Sequence, residues 1–499
     1  MTARSGPTPT PVLADAAGEP LGQTTRITNR TITLRKDRTM KSPGKIAMLT
    51  AAALVGVGIL SGCSSSSGGG DDGKVNLVVA PVLPGATADA LKSLHDRVAQ
   101  FEKKYPDIKV KAIEYQWTGT TFAAELAGGT LPDVFNVPFT DSKTLANNGQ
   151  LADITKYFKQ TPTADKWNKN VLDVATGNDG KIYGIPWGPY AMALSYNRDI
   201  FTKAGLDPDK PPTTLDEIQQ DAKTIAAKVP GVAGYMQMTE DNTGGWELAT
   251  LTQSMGGKLE KVASDGKVTV TADNPQTKQA LAWLKKLRWG DNSMGSNFLF
   301  DWSGINQAFA SGQIAMYMSG SDVIGSLMQA NGFDQKKYGV TTFPLASSAS
   351  AGILSGGNVD VVNVKDSPEQ VAAAVKWINF YRTEPTVDKT AAINNAKTLA
   401  KGDQAVNAPT LPVFDKATWE QNQEWIKPYD NIPVENLKPF NDNIFNQKIS
   451  PEPPSHTQDL YGALDSVVQA VLTDQNADVD TLLKGVDTKV QALVDADGK

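Results

Sequence analysis

Lys74-Val75-Asn76-Leu77-Val78-Val79-Ala80 is an apolar, valine-rich run closed by Pro81 and Pro84, and it reads as a buried strand. Downstream, Leu91, Leu94, Val98 and Phe101 are spaced by three, four and three positions, which sets them on one face of a helix. Pro106 ends that helix, and Ile108-Lys109-Val110-Lys111-Ala112-Ile113 alternates as a second strand. Strand, crossover helix and strand form a βαβ unit, so the two strands are expected to be parallel and the fold α/β.

The same grammar continues outward. Asp133-Val134-Phe135-Asn136-Val137 follows a Gly128-Gly129-Thr130-Leu131-Pro132 turn and reads as a strand, as do residues 313–318 and 338–344. Helices are expected over 214–228, opened by Thr214 with Glu217 as a capping box, and over 275–289, opened by Asn274-Pro275. A further helix is expected over 367–382, opened by Pro368, and two amphipathic helices at 458–473 and 479–494 close the chain. No solenoid-length repeat is present.

With 499 residues the chain is too long for one ordinary domain, and 40% hydrophobic content is enough for a real core. It has 48 Lys+Arg against 54 Asp+Glu, a net charge of −6, which argues against a nucleic-acid-wrapping surface. One Cys and two His exclude an intrachain disulfide framework and cysteine-built zinc sites. His95 falls on the first helix and His456 in a proline-flanked loop, neither with a metal-ligating neighbour in sequence. No metal and no cofactor is expected.

The N-terminal region reads as an address. Residues 1–39 show no apolar period, Lys41 and Lys45 precede an uncharged run over 46–60, and Ser61-Gly62-Cys63 follows. This is the layout of a secretory signal, and the run is too short to span a membrane, which takes about 20 apolar residues. Leu60-Ser61-Gly62-Cys63 resembles a bacterial lipobox, in which the Cys thiol receives a diacylglycerol and the chain is cut just before it. The expected organisation is a non-native or unstructured leader (1–39), a lipoprotein signal (40–62) and a Ser/Gly tether (63–73). The expected location is the extracytoplasmic face of the cell membrane, held there by lipid on Cys63.

Several blocks together carry a family resemblance. They are Phe101-Glu102-Lys103-Lys104-Tyr105-Pro106-Asp107-Ile108, Ala127-Gly128-Gly129-Thr130-Leu131-Pro132-Asp133-Val134, Tyr183-Gly184-Ile185-Pro186, Ser195-Tyr196-Asn197-Arg198-Asp199-Ile200-Phe201 and Phe309-Ala310-Ser311-Gly312-Gln313-Ile314-Ala315-Met316. In order and spacing they resemble extracellular solute-binding protein family 1, the sugar-type binding proteins and lipoproteins that feed ABC importers. The resemblance implies a two-lobed periplasmic-binding-protein-like fold of class II type, with a multi-crossing hinge and a ligand cleft between the lobes. Its implied lobes are 74–193 plus 362–425, and 197–355 plus 431–499. It also implies a monomer that delivers a small solute to a membrane permease.

Ligands of open α/β sheets bind beyond the carboxyl ends of strands, and sugars want rings for their C–H faces and polar groups for their rims. The candidates after each strand are Trp117 and Thr118; Asn136, Phe139 and Asp141; Trp187 and Tyr190; Trp246; Ser319 and Asp322; and Gly357 with Asn358. By resemblance, Trp187, Trp246, Asp322 and Asn358 fall where family members contact ligand. The competing reading makes Asp141 and Asp322 helix caps and Gly356-Gly357 a simple turn. Trp283, Trp289 and Trp377 sit at helical spacing with Leu or Ile and are assigned to packing, while Trp302 is left undecided. The exit of the first strand, Ala80-Pro81-Val82-Leu83-Pro84-Gly85, departs from relatives that place Trp or polar residues there, so non-sugar cargo stays open.

Two other classes compete. A glycoside hydrolase needs only a carboxylate pair, but no G-x-S-x-G elbow, H-E-x-x-H or P-loop is present. An adhesion or structural lipoprotein would be expected to show repeats. A non-catalytic receptor ranks first.

Overall fold

The computed structural model describes residues 73–86, 88–263 and 266–497. The leader, the signal segment, Cys63 and the tether up to residue 72 lie outside the described residues. Among the described residues there are ten strands: β1 (Val75–Val82), β2 (Ile108–Glu114), β3 (Val134–Pro138), β4 (Gly184–Asn197), β5 (Glu260–Val262), β6 (Val268–Val270), β7 (Met316–Gly320), β8 (Tyr338–Thr342), β9 (Ile353–Val362) and β10 (Ile449–Pro451).

The opening unit forms as its sequence requires. β1 and β2 are parallel, in register from Val75 opposite Ile108 to Val79 opposite Ala112. The helix Ala88–Lys104 crosses between them and buries Leu94 and Phe101. One boundary differs from expectation, since β1 continues through Pro81 to Val82. Proline lacks the ladder N–H, and the register shifts between Val79 and Val82 to accommodate it.

Eight strands join in one mixed sheet of order β2-β1-β3-β9-β4-β7, with β10 added on β9 and β8 on β4. The two long strands carry the architecture. β4 pairs with β9 from Gly184 to Ala191, then with β7 and β8 from Met192 to Asn197. β9 in turn pairs with β10 at its start and with β3 at its end. The expected strand at 313–318 forms only from Met316; Ala315 accepts the Asn197 N–H of β4, and Gln313 and Ala315 also bond Ala233. The strand expected over 338–344 ends at Thr342, where β4 supplies its last partner, Ala193.

The helix starts agree with the sequence. Thr214 and Glu217 form a reciprocal capping box, Ser367 and Gln370 form another, and Asn274 caps the helix opened by Pro275. Two helix ends do not. The α-helices Pro275–Lys285 and Pro368–Ile378 each continue as a wider π turn, Lys286–Gly290 and Asn379–Thr383. The second of these brings Arg382 towards the sheet, where it bonds Asp360 of β9.

Among the described residues, three apolar clusters fill the interior. One gathers Leu77, Phe101, Ile108 and Trp377 around β1 and β2. The largest gathers Tyr196, Leu248, Phe309, Tyr338 and Leu464. A small satellite of Ala392, Ala396, Val406 and Ile426 joins the helices Lys389–Lys401 and Lys416–Ile426. Trp283 and Trp377 are buried, as their helical spacing requires.

Candidate functional site

The site grows from an irregularity in β4. Its pairing with β9 is broken between Trp187 and Tyr190, and Gly188 takes a left-handed φ of 57°. A bulge of this kind re-aims side chains locally. Tyr190 fits because β9 offers glycine opposite it: a Cβ at Gly356 would stand 2.4 Å from the Tyr190 hydroxyl. Ser355 Oγ donates to the Tyr190 carbonyl at 2.6 Å.

Two indoles continue the row. Trp246 meets the Tyr190 ring edge-on at 5.9 Å, and Trp302 meets Trp246 edge-on at 6.2 Å. Trp246 is placed by the first turn of the helix Thr243–Ser254. Asp465 holds that turn by accepting the Asn242 and Gly245 N–H groups, each at 2.7 Å. Trp302 opens the helix Trp302–Ala310, capped by Asp301.

Three carboxylates accompany the rings. Burial raises Asp141 and Asp322 above the ordinary carboxylate range, with the Thr140 hydroxyl opposing the shift at Asp141. Glu452 is pushed up to about 7 by burial; the Tyr461 hydroxyl opposes the shift and the Asp141 charge adds to it. Burial likewise pushes the Tyr190 phenol well up, and the charges of Glu452 and Asp322 both act on it. No basic side chain contributes to the shift of any of the three carboxyls. Neither aspartate caps a helix: the N-caps are Pro138 and Val323, and neither helix start carries a side-chain cap bond. The competing capping reading is thereby removed.

Trp187 occupies a second setting. Its Nε1 donates to Asn136 Oδ1 at 2.9 Å, and the Arg382 guanidinium lies 3.4 Å from the centroid of its ring. Asn136 also donates to the Ala80 carbonyl at 2.9 Å and accepts from Arg382. Arg382 is paired with Asp360 at 2.8 Å. The Trp187 ring borders a cavity of about 380 Å³.

The remaining candidates divide. Trp117 packs on Phe122 at 6.1 Å, and its Nε1 is buried without a partner; Thr118 is the N-cap of the next helix and meets the Thr121 hydroxyl at 2.8 Å. Asn358 stands opposite Trp187 and Pro138 in the ladder. Gly357 makes room for Phe139, whose Cζ would be 2.8 Å from a Cβ there. Phe139 and Ser319, both ligand-binding candidates, are buried. Phe139 fills the interior because Gly357 admits its ring, and Ser319 is fully buried with its hydroxyl at 3.3 Å from Ser195.

Arg382, Asp360 and Glu452 are absent from the sequence-derived set. Glu452 had a usable signal, since it follows β10 in Pro451-Glu452-Pro453-Pro454 and so sits at a strand exit. Arg382 had none, because only the π turn delivers it. Among the described residues no group of His, Cys, Asp and Glu could hold a metal ion, and no helix is long and apolar enough to cross a membrane.

A row of aromatic rings flanked by carboxyls can grip a polar ring-shaped molecule, and the fold is that of the two-lobed sugar-binding proteins. Solved structures agree on the fold. The cyclic α-maltosyl-1,6-maltose binding protein of Arthrobacter globiformis superposes with a TM-score of 0.60 at 22% identity, covering 85% of this chain and 99% of that one. The sugar-binding protein MalE of Xanthomonas citri gives 0.63 at 16% identity, over 85% and 98%. The chain belongs to the bacterial extracellular solute-binding protein family, whose profile matches residues 96–413. Its curated relatives include YcjN of Escherichia coli K12, named as an ABC transporter periplasmic-binding protein, 23% identical over 78% of this chain and 84% of that one. The diacetylchitobiose binding protein DasA of Streptomyces coelicolor is 28% identical over 48% of this chain, which spans about half (54%) of that protein's length. The protein is a solute-binding component of this family and not an enzyme.

Proposed function

We propose that the protein captures an uncharged, carbohydrate-like solute at the Tyr190–Trp246–Trp302 row, closes two lobes over it, and delivers it unchanged to the permease of an ABC importer. The observation that carries this reading is the row itself, with ring separations of 5.9 and 6.2 Å beside Asp322 and Glu452. Rings stack on the C–H face of a sugar while carboxylates accept from its hydroxyls. Relatives named for diacetylchitobiose and arabinooligosaccharide support a carbohydrate. Others are named for sn-glycerol-3-phosphate. The three buried carboxyls, none of them shifted by a basic side chain, offer an anionic cargo no counter-charge. The lobes of the proposal are 74–193 plus 362–425, and 197–355 plus 431–499. Lipid on Cys63 holds the protein at the extracytoplasmic face of the membrane, and the working unit is a monomer.

Intrinsic Trp fluorescence against a panel of neutral sugars tests the reading. A saturable change with no product formed is expected, and Trp246→Ala should weaken it at least tenfold. Turnover of a panel sugar, or unaltered binding by Trp246→Ala, would overturn it. Cys63→Ser should move the protein from the membrane fraction to the medium; retention on membranes would remove the anchor from the proposal.

A further inference from the structure

The double glycine of β9, Gly356-Gly357, is where the exits of two other strands meet head-on. Ser355 pairs with Ala191 of β4 and with Pro451 of β10, and Asn358 pairs with Trp187 of β4 and with Pro138 of β3. β4 therefore holds one edge of β9, and β10 and β3 share the other. β10 runs parallel to β9 and β3 antiparallel to it, so the two point at each other across the glycines. Glu452 follows β10, and Asp141 lies in the first turn of the helix Phe139–Asn147 that follows β3. In the lobes proposed above, Asp141 belongs to the first and Glu452 to the second.

The register aims Glu452 at the ring row. Continuing the β10 ladder by one residue sets Glu452 beside Gly356, which stands directly opposite Tyr190. Side chains aligned across neighbouring strands share a face, and the glycine between these two leaves room for the Tyr190 hydroxyl. Asp322 stands at the same ring, since a Cβ at Gly320 would lie 2.9 Å from its Oδ1 and 3.7 Å from Tyr190 Cδ2. Glu452 makes one hydrogen bond among the described residues, its Oε1 accepting from the Tyr461 hydroxyl at 3.1 Å, which leaves Oε2 for a solute. Pro451, Pro453 and Pro454 flank it and stiffen its backbone.

Among the described residues, the titratable groups that face this carboxyl are acids or phenols. They are Tyr190 of β4, Tyr461 of the helix Thr457–Thr473, and Asp141; behind them, Asp322 acts on Tyr190 and Glu260 of β5 acts on Tyr461. His456, in the same loop as Glu452, is paired with Asp459 at 3.1 Å and acts on Glu260. Burial and the Asp141 charge already bring Glu452 to about 7 in the solute-free protein. Closure over a solute removes water and changes the spacing of Asp141 and Glu452, and like charges repel most strongly where water is excluded. A proton on Glu452 relieves that repulsion and turns its Oε2 from an acceptor into a donor.

We infer that Glu452 enters the closed, solute-bound state as the neutral acid, its Oε2–H donating to a solute oxygen, so that capture takes up a proton from the medium and weakens as the pH rises. The inference rests on the carbohydrate reading above. Neutral sugars carry no group that titrates in this range, so isothermal titration of maltose, diacetylchitobiose and arabinobiose, each in HEPES and in Tris at pH 7.5, counts the protons taken up by the protein. For a sugar that binds, uptake of more than about 0.3 proton is expected, with affinity about tenfold or more weaker at pH 8.5 than at pH 6. Glu452→Gln, which has no proton to lose, should abolish both the uptake and the fall, whatever its affinity at pH 6. Asp141→Asn should reduce the fall and decides the matter if the first variant does not fold. His456→Gln should keep the parent's uptake, although an imidazole ordinarily titrates in the same window. No uptake, with equal affinity at pH 6 and 8.5, overturns the inference and leaves the ring-row reading standing. So does an uptake that survives Glu452→Gln, a fall that Asp141→Asn leaves unchanged, or an uptake lost in His456→Gln. Absence of binding by all three sugars overturns the carbohydrate reading and the inference with it.

Discussion

Arg382 and Asp360 are both deeply buried, at 12% and 3% side-chain exposure, and make one ion pair across the π turn and β9. Burying two charges costs heavily, so such a pair specifies geometry more than it adds stability. Breaking it is another matter. Arg382→Ala should cost about 3–5 kcal/mol by stranding Asp360, read as the shift in a urea midpoint. A loss below about 1 kcal/mol would show that Asp360 takes up a proton or finds water instead. A second buried pair makes a pH prediction. Asp366 is pushed up to about 8 by burial and then by the charge of Asp133, which itself accepts the Val78 N–H at 2.6 Å. Its folded value lies above that of the unfolded chain, so the folded state holds this proton more tightly. The stabilisation is complete below about pH 4 and is lost as the pH rises towards 8. Glu260 and Glu452, each pushed up to about 7, titrate in the same window, so the informative quantity is the difference between parent and variant. Asp366→Asn should flatten the fall in melting temperature between pH 5 and 8. An unchanged slope would exclude the Asp133–Asp366 contact as its source.

Among the elements, the helix Thr243–Ser254 decides where Trp246 stands. A Cβ on Gly245 would lie 2.2 Å from the Tyr461 carbonyl, so this helix and Thr457–Thr473 touch backbone to backbone. Gly245→Ala should force them apart, at a cost of about 2 kcal/mol or more in urea unfolding. Fluorescence titration of the folded fraction should also report weaker solute binding, because Trp246 moves with the helix. Wild-type stability and affinity together would show the approach to be slack. Helix starts were legible in the sequence because a cap acts over three or four residues. Thr214 with Glu217, Asn274 with Pro275, and Pro368 in the first turn of its helix all formed as local chemistry demanded. The π turns after Lys285 and Ile378 were not legible, since one added residue per turn is set by what the helix packs against.

For the molecule as a whole, the proposed closure over a solute falls on β4 and β9. Each changes its partners along its length, so bending in these strands is the economical way for bodies on either side to move. Small-angle scattering of the purified protein should show a smaller radius of gyration with a saturating, binding sugar than without it. Trp246→Ala should need a higher concentration for the same change. A radius of gyration independent of solute would exclude lobe closure.

The chain's own order of residues determined the βαβ opening and the positions of the helix starts, because these depend on periodicity and on neighbours a few positions apart. It also marked Tyr190, Trp187 and Trp246 as ring-bearing loop and strand-end residues. Tertiary structure alone decided which side chains share a site. Asn136 and Arg382 are 246 positions apart and meet over Trp187, Glu452 reaches Tyr190 from the far end of the chain, and Ser319 turns its hydroxyl inward. Such convergence is fixed by sheet order and by a bulge that re-aims two residues, and neither leaves a trace in any short stretch of sequence.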